Sequence, residues 1–313
     1  MKIDQTSQEK NDLQICRDIA RRVTGVKIPV GRMKTHQRLP GDRRSIHRGE
    51  GDDFDGHEVY AYGDDPRTID WNATAMTGGQ QFLVALFKEE AHLRSTILCD
   101  CSPTMNFGST RVSKRVLAAE LAACAVRSLA MSHDPVALIT YSHTGVERRV
   151  KSGPSASMML PVITHVLNST HKARPGKHSG LARGLELVPR SPSIVFVISD
   201  FLNTTQADWD ALKRAGRRHH VFAMVVQDLR ERQYPEVGFL PYVYTLEDAD
   251  GNRSDVLVTK GTARRFAEAA RLRNQTLLER LKQCRAQALI VGTEEGDKST
   301  ASVLSFLQSQ TRR

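Results

Sequence analysis

The segment STILCDCSPT, residues 95–104, places an acidic residue and two hydroxyl residues directly after an apolar run. A short apolar run that ends in a proline turn is typical of a buried strand. Asp100, Ser102 and Thr104 leave the end of that run at alternating positions. Magnesium prefers oxygen ligands in octahedral geometry and keeps some of its waters. The segment therefore predicts a strand of a covered sheet and a binding site for a divalent cation.

Further apolar runs surround this segment, and helical patterns separate most of them. The runs lie at residues 82–87, 136–141, 193–199, 220–226 and 288–291. The helical patterns lie at residues 12–26, 111–132, 156–168, 179–189, 205–218, 261–284 and 300–309. Continuous apolar strands that alternate with helices are typical of parallel sheets covered on both faces. We therefore predict an α/β fold with a doubly wound, mostly parallel sheet, helices on both faces and an antiparallel arm at residues 145–151.

The chain before residue 81 differs from the rest in composition and in the periodicity of its apolar residues. Residues 29–79 are rich in Gly, Asp, Arg and His and show little periodicity of either kind. We therefore expect two parts: residues 1–80, an N-terminal helix and loop-rich extension, and residues 81–313, the α/β domain.

Composition restricts the class of protein. The 313 residues are 40% hydrophobic and 26% charged, which excludes a mainly disordered chain. The five cysteines form no CxxC pair, which favours a reducing cytoplasm over a disulfide framework. No apolar stretch is long enough to span a membrane, and the N-terminus lacks the apolar core of a signal peptide. These features predict a cytoplasmic protein.

The formal charge of +10 is partly concentrated near the N-terminus, where residues 1–50 carry twelve Lys or Arg and six Asp or Glu. A basic arm at residues 27–48 is one candidate for nucleic-acid binding through phosphate contacts. The alternative is a solvated basic surface, since no interleaved aromatic residues supply a platform for base stacking.

Two later loops extend the candidate metal site. In a doubly wound sheet, ligands bind beyond the carboxyl ends of the strands. Ser179 opens a predicted helix, and Asp200 follows the apolar run at residues 193–199. The predicted metal ligands are thus Asp100, Ser102, Thr104, Ser179 and Asp200, and the expected ion is Mg²⁺ or another divalent cation such as Mn²⁺. The alternative interpretation makes the same side chains helix caps and turn formers.

These five residues resemble the metal-ion-dependent adhesion site of von Willebrand factor A domains, whose pattern is DxSxS, then a threonine, then an aspartate. Thr104 and Ser179 differ from the usual residue but keep the hydroxyl oxygen. The resemblance implies a protein-binding module in which the metal accepts an acidic side chain from a partner.

The segment GEGDDFDGHEVYAYGDDPRTIDWNATA, residues 49–75, resembles the signature of the domain of unknown function 58 family. That family joins a GDDxRxIDW segment to an A-type domain, and its members are typically encoded beside MoxR-type AAA+ ATPases. The resemblance implies an accessory or adaptor of such an ATPase, which binds the ATPase or its substrate. Glu58 and Met76 stand where relatives usually carry arginine, so any carboxylate or phosphate contact of those arginines is absent.

Enzymatic alternatives remain open. Asp64, Asp65 and Asp70 allow acid and base chemistry, but turn chemistry with an Arg67–Asp70 ion pair and Trp71 as a core anchor is favoured. A metal-dependent hydrolase or nuclease is the other alternative. It lacks a candidate general base, because Asp200 is the only spare carboxylate near the site. We therefore expect a binding module rather than an enzyme.

Overall fold

The computed structural model of the chain describes residues 5–25, 53–62, 65–79, 81–88, 94–110, 112–130, 134–169, 180–235, 241–247, 253–294 and 305. The chain forms two compact units, residues 40–92 and the remainder. The division after residue 80 stays a prediction. Numbered along the chain, the elements are α1 Gln5–Gly25, β1 Asp53–Val59, α2 Trp71–Met76, β2 Leu83–Lys88, β3 Ser95–Asp100, α3 Lys114–Ala130, β4 Pro135–Ser142, β5 Gly145–Pro154, α4 Ser155–Leu167, α5 Gly180–Glu186, β6 Ile194–Ser199, α6 Gln206–Ala215, β7 His220–Gln227, β8 Tyr242–Glu247, β9 Arg253–Val258, α7 Lys260–Gln283 and β10 Ala286–Gly292.

The larger unit is built on a six-stranded sheet with the order β10-β7-β6-β3-β4-β5. Its strands pair in parallel except β5, which returns antiparallel along β4 as the predicted edge arm. The predicted α/β class and mostly parallel sheet are confirmed.

Both faces of this sheet are covered, which explains the continuous apolar strands. Every residue of β3 and β6 is buried. Because side chains alternate across a strand, Ile97 packs with α1, α3 and α4 on one face, and Leu98 packs with α5, α6 and α7 on the other. Helix α3 is buried around most of its circumference, as its nearly uniform apolar sequence predicts.

The strand order reverses at the centre of the sheet. From β3 the chain moves outward through β4 and β5, and it then crosses back to β6 on the other side of β3. The carboxyl ends of β3 and β6 therefore flank a crevice at the switch in strand order, which is the usual place for a ligand in such a sheet. Asp100 and Ser199 are the last residues of these two strands.

The smaller unit contains an antiparallel pair of strands, β1 and β2. The apolar run at residues 82–87 does form a strand, but it pairs with β1 instead of joining the main sheet, because an apolar run does not specify its partner. Strand β1 was not predicted, since DFDGHEV is too polar to stand out.

The turn chemistry of the smaller unit is confirmed, whereas two details are wrong. The Asp65 carboxylate accepts a hydrogen bond from the amide of Arg67 at 3.0 Å. Asp70 caps α2, and its other oxygen contacts His57 Nε2 at 2.9 Å, so the predicted Arg67–Asp70 ion pair does not form. This hydrogen bond with His57 is the main reason that the pKa of Asp70 is lowered. Trp71 is 65% exposed and packs edge-on against Phe82, so it is not a core anchor.

Several predicted features lie outside the described residues, namely the basic arm at residues 27–48, Asp64, Ser179 and most of the helix at residues 300–309. Within the described part of the chain, no helix combines the length and apolar character needed to cross a bilayer. All five cysteines are buried free thiols.

Candidate metal-binding site

Asp100 lies at the centre of the crevice and is 7% exposed. Its Oδ1 accepts hydrogen bonds from the amide of Ser102 at 2.9 Å and from the Ser102 hydroxyl at 2.5 Å. Its Oδ2 accepts a hydrogen bond from the Ser199 hydroxyl at 2.7 Å. The loop after β3 and the end of β6 therefore both fix the orientation of this carboxylate.

Ser102 and Thr104 flank Pro103, which opens a short 3-10 helix, Pro103–Asn106. The alternative in which Ser102 caps this helix is wrong, because its side chain makes no capping hydrogen bond. The Ser102 hydroxyl instead accepts a hydrogen bond from the amide of His143 at 3.2 Å. The Thr104 hydroxyl is buried and has no hydrogen-bond partner among the described residues. Burying a hydroxyl without a hydrogen bond costs free energy. The lone pairs of this oxygen are therefore available to a ligand such as a metal ion.

Ser199 belongs to the site as well, although it was not among the predicted ligands. Besides donating to Asp100, its hydroxyl accepts a hydrogen bond from the amide of Phe201 at 3.0 Å. Phe201 has a φ of 54°, in the left-handed region that residues other than glycine rarely adopt. Strained turns of this kind are concentrated at functional sites. The position of Ser199, at the end of a buried strand and next to Asp200, is the signal that points to it in the sequence.

Asp200 has protein partners for both carboxylate oxygens. Oδ2 accepts a hydrogen bond from Lys114 Nζ at 2.7 Å, and Oδ1 accepts one from the amide of Leu202 at 3.1 Å. Lys114 is fully buried and also donates to Glu231 at 2.5 Å. Burial would lower the pKa of Lys114, but Asp200 and Glu231 together raise it above its ordinary value. Asp200 therefore remains a predicted metal ligand under one of two conditions: it contacts the ion through a water molecule, or its hydrogen bond with Lys114 breaks first.

Electrostatics distinguish Asp100 from Asp200. Burial, and then the charge of Asp200, raise the pKa of Asp100 to about 6, while hydrogen bonds from Ser102 and Ser199 oppose that rise. Asp100 forms no ion pair within the described part of the chain. A buried carboxylate of this kind is stabilised by protonation or by a cation.

A small cavity adjoins the carboxylate. Its volume of about 20 Å³ is sufficient for one water molecule or one ion. Asp100, Ser102, Ser199 and Gly180 are among the residues that line it. A Cβ atom on Gly180 would lie 1.9 Å from the backbone oxygen of Ser142, so only glycine allows the start of α5 to approach this closely. Ser179, the neighbour of Gly180, lies outside the described residues.

The donors of this site suit a hard cation. They are one carboxylate and several hydroxyls, which match the oxygen preference of Mg²⁺. Among the described residues, no group of three or more His, Cys, Asp or Glu is placed to hold a metal, so a soft metal such as zinc has no ligand set here. The oxygen donors present therefore fit Mg²⁺, and Asp100, Ser102 and Thr104 are the residues that would hold it.

The family described as "Protein of unknown function DUF58" matches residues 57–276. An uncharacterized protein of Mycobacterium tuberculosis is 25% identical over 291 residues, which cover 88% of this chain and 84% of that protein. An uncharacterized protein of Mycobacterium bovis matches with the same identity and coverage.

Three solved structures are also similar. The conserved hypothetical protein BatB from Bacteroides thetaiotaomicron has a TM-score of 0.41 and 16% identity, covering 71% of this chain and 100% of its own. An aerotolerance-related membrane protein from Bacteroides fragilis has a TM-score of 0.46 and 14% identity, with the same coverage. A von Willebrand factor type A structure from Catenulispora acidiphila has a TM-score of 0.37 and 13% identity, covering 73% of this chain and 43% of its own.

Proposed function

The chain belongs to the DUF58 family of proteins of unknown function, and we propose that it is a protein-binding module that works through a divalent cation. The cation is Mg²⁺ or a similar ion such as Mn²⁺, held by Asp100, Ser102 and Thr104. Ser179 and Asp200 contribute directly or through water. The ion accepts an acidic side chain from a partner protein.

One observation carries this proposal: Asp100 is a buried carboxylate without a cationic partner among the described residues, and Thr104, four residues further along the same loop, has a buried hydroxyl without a hydrogen bond. Leaving either group buried in this way costs free energy. A cation that binds both groups would offset both costs at once. The small adjoining cavity also provides room for an ion or one of its waters.

The total charge of the proposed ligands explains why a cation bound at this site would attract a carboxylate from a partner protein. Asp100 supplies one negative charge, and the hydroxyls of Ser102 and Thr104 supply none. Asp200 already binds Lys114 at 2.7 Å. A divalent cation on these direct ligands keeps a net positive charge, which attracts a carboxylate from outside. Mg²⁺ completes its coordination with such a carboxylate or with water.

The proposed partner is a MoxR-type AAA+ ATPase or the substrate of such an ATPase. This part of the proposal rests on the family, whose members are typically encoded beside these ATPases. The partner contributes an Asp or Glu at its contact surface, because a carboxylate is the group that the bound cation accepts.

Capture of the purified MoxR-type ATPase of the same organism on the immobilised chain tests the proposal. We expect capture in Mg²⁺ and its loss in EDTA or in Asp100→Asn, which removes the charge and keeps the shape of the side chain. Asp210→Asn is the matched control, since Asp210 is an exposed residue of α6. Equal capture in EDTA and in Mg²⁺ would overturn the proposal, and so would full capture by Asp100→Asn.

A further inference from the structure

A second concave surface lies at the opposite end of the sheet from Asp100. Helices α5 and α6 both end there, at Glu186 and Ala215, shortly before the parallel strands β6 and β7 begin. A cavity of about 540 Å³ lies between residues 182–190 and residues 211–219, and we call it the α5–α6 groove. This volume lies in the range of ligand-binding clefts.

The floor of the α5–α6 groove is aliphatic. Leu185, Val188, Ala211 and Ala215 line it, and each of them is largely buried. These side chains offer apolar contact without any aromatic ring for stacking. Among the described residues that line the groove, none is Phe, Tyr or Trp.

The rim of the α5–α6 groove is strongly basic. Arg190, Arg214, Arg217 and Arg218 line it and are exposed, and none of them forms an ion pair with a described residue. The acidic residue of the groove, Glu186, is already bound by Arg183 at 2.7 Å. Four guanidinium groups therefore surround one cavity without a compensating carboxylate.

The dipoles of α5 and α6 offset only part of the positive charge of the arginine rim. The carboxyl end of a helix carries about half a negative charge, so the ends of α5 and α6 together offset roughly one of the four positive charges. Arg214 lies in the last turn of α6 and suits that role. The remaining excess of positive charge is unfavourable within the isolated chain and favours an anionic ligand.

We propose that the α5–α6 groove binds an acidic segment of a partner protein, whose aliphatic side chains contact the floor and whose carboxylates pair with the arginine rim. Guanidinium groups bind carboxylates in a bidentate manner, and an amphipathic segment in a helical groove uses both kinds of contact. A protein segment is favoured over nucleic acid, because the floor is aliphatic and the one aromatic ring among the described lining residues, the imidazole of His219, is half-buried and hydrogen-bonded to the Ser193 hydroxyl at 2.8 Å. A small inorganic anion would leave the aliphatic floor exposed to water.

This inference does not depend on the candidate metal site. The groove contains none of the predicted metal ligands, and binding there requires no cation. The two proposals therefore fail separately: EDTA prevents binding at Asp100, whereas it leaves the α5–α6 groove unaffected.

Fluorescence anisotropy with labelled short peptides tests the groove on the whole chain. The probe peptide carries Leu three and four positions apart, so that one face of a helix is apolar, and Glu at the positions between them. The matched peptide carries Gln in place of every Glu. We expect the acidic peptide to bind at least tenfold more tightly than the Gln peptide, in EDTA as well as in Mg²⁺. A single-stranded oligonucleotide and inorganic tripolyphosphate serve as competing anions, and we expect both to displace the peptide only weakly.

The double variant Arg214→Gln, Arg217→Gln should weaken binding of the acidic peptide about tenfold. Arg265→Gln, Arg271→Gln is the matched control, since it removes the same charge from exposed positions of α7. Equal weakening in both variants would show a nonspecific charge effect and overturn the proposal. Absence of peptide binding at millimolar concentration, or tighter binding of the oligonucleotide or of tripolyphosphate than of the peptide, would overturn it as well.

Discussion

Replacing Lys114 with methionine removes the ammonium group that contacts Asp200 and Glu231, while it keeps an unbranched side chain of similar length. Removing one partner of a buried ion pair costs about 3–5 kcal/mol, because the other charge stays buried and unpaired. Asp200 is 4% exposed and cannot regain water. The Glu231 side chain is 17% exposed and is partly hydrated already. We therefore expect a loss of about 3 kcal/mol, at the lower end of that range.

Urea unfolding followed by circular dichroism at neutral pH in EDTA measures this loss. Lys151→Met is the matched control, since Lys151 is exposed on the edge strand β5. It should change the free energy of unfolding by no more than about 0.5 kcal/mol. Adding Asp200→Asn to Lys114→Met removes the carboxylate that has lost its partner, so the double variant should recover most of the stability.

Magnesium adds a second readout to the same variant. A cation at Asp100 offsets the uncompensated charge of Asp200, so saturating Mg²⁺ should stabilise Lys114→Met more than it stabilises the unmodified chain. A loss below about 1 kcal/mol in EDTA would refute the reasoning about the buried pair. A double variant that is no more stable than Lys114→Met would refute it too.

Three further predictions concern the site itself. Because the pKa of Asp100 is raised from 3.8 to about 6, this group stabilises the fold below pH 4 and loses that contribution, about 3 kcal/mol, as the pH rises through 6. The free energy of unfolding, measured without divalent cations, should therefore fall between pH 4 and pH 6, and Asp100→Asn should abolish this fall. Gly180→Ala should cost about 1–3 kcal/mol in thermal unfolding through its clash with Ser142, whereas Gly261→Ala, which meets its nearest atom at 3.7 Å, should be neutral or mildly stabilising. Thr104→Val should leave stability unchanged or raised, since the lost hydroxyl has no described partner, yet it should weaken calorimetrically measured Mg²⁺ binding about tenfold because one oxygen ligand is lost.

The parts of the fold that could be predicted from the sequence are those with a strong local pattern. The all-apolar strands β3 and β6 need cover on both faces, and that need alone indicates helices on either side of a parallel sheet. The antiparallel arm β5 follows β4 so closely along the chain that only a hairpin can connect them. Asp100 and Ser102 could be placed at the crevice because strand ends in such sheets share one edge.

The parts that could not be predicted depend on contacts between distant residues. Lysine is almost never fully buried, so nothing local identifies Lys114 as the partner of Asp200, which lies 86 residues away. The hairpin of β8 and β9 exposes Val243 and Leu257, so its sequence carries only a weak burial pattern. The run at residues 82–87 has the composition of a core strand, but composition does not determine the strand with which it pairs.

Calorimetric titration of Mg²⁺ into the metal-free 313-residue chain above pH 7 tests the site around Asp100 most directly. At that pH the carboxylate is ionised, so protonation does not compete with the metal. We expect a single saturable site in the unmodified chain and in Asp210→Asn, and no binding in Asp100→Asn. Binding of undiminished strength by Asp100→Asn, or no binding by the unmodified chain, would contradict the assignment of Asp100 as the principal metal ligand.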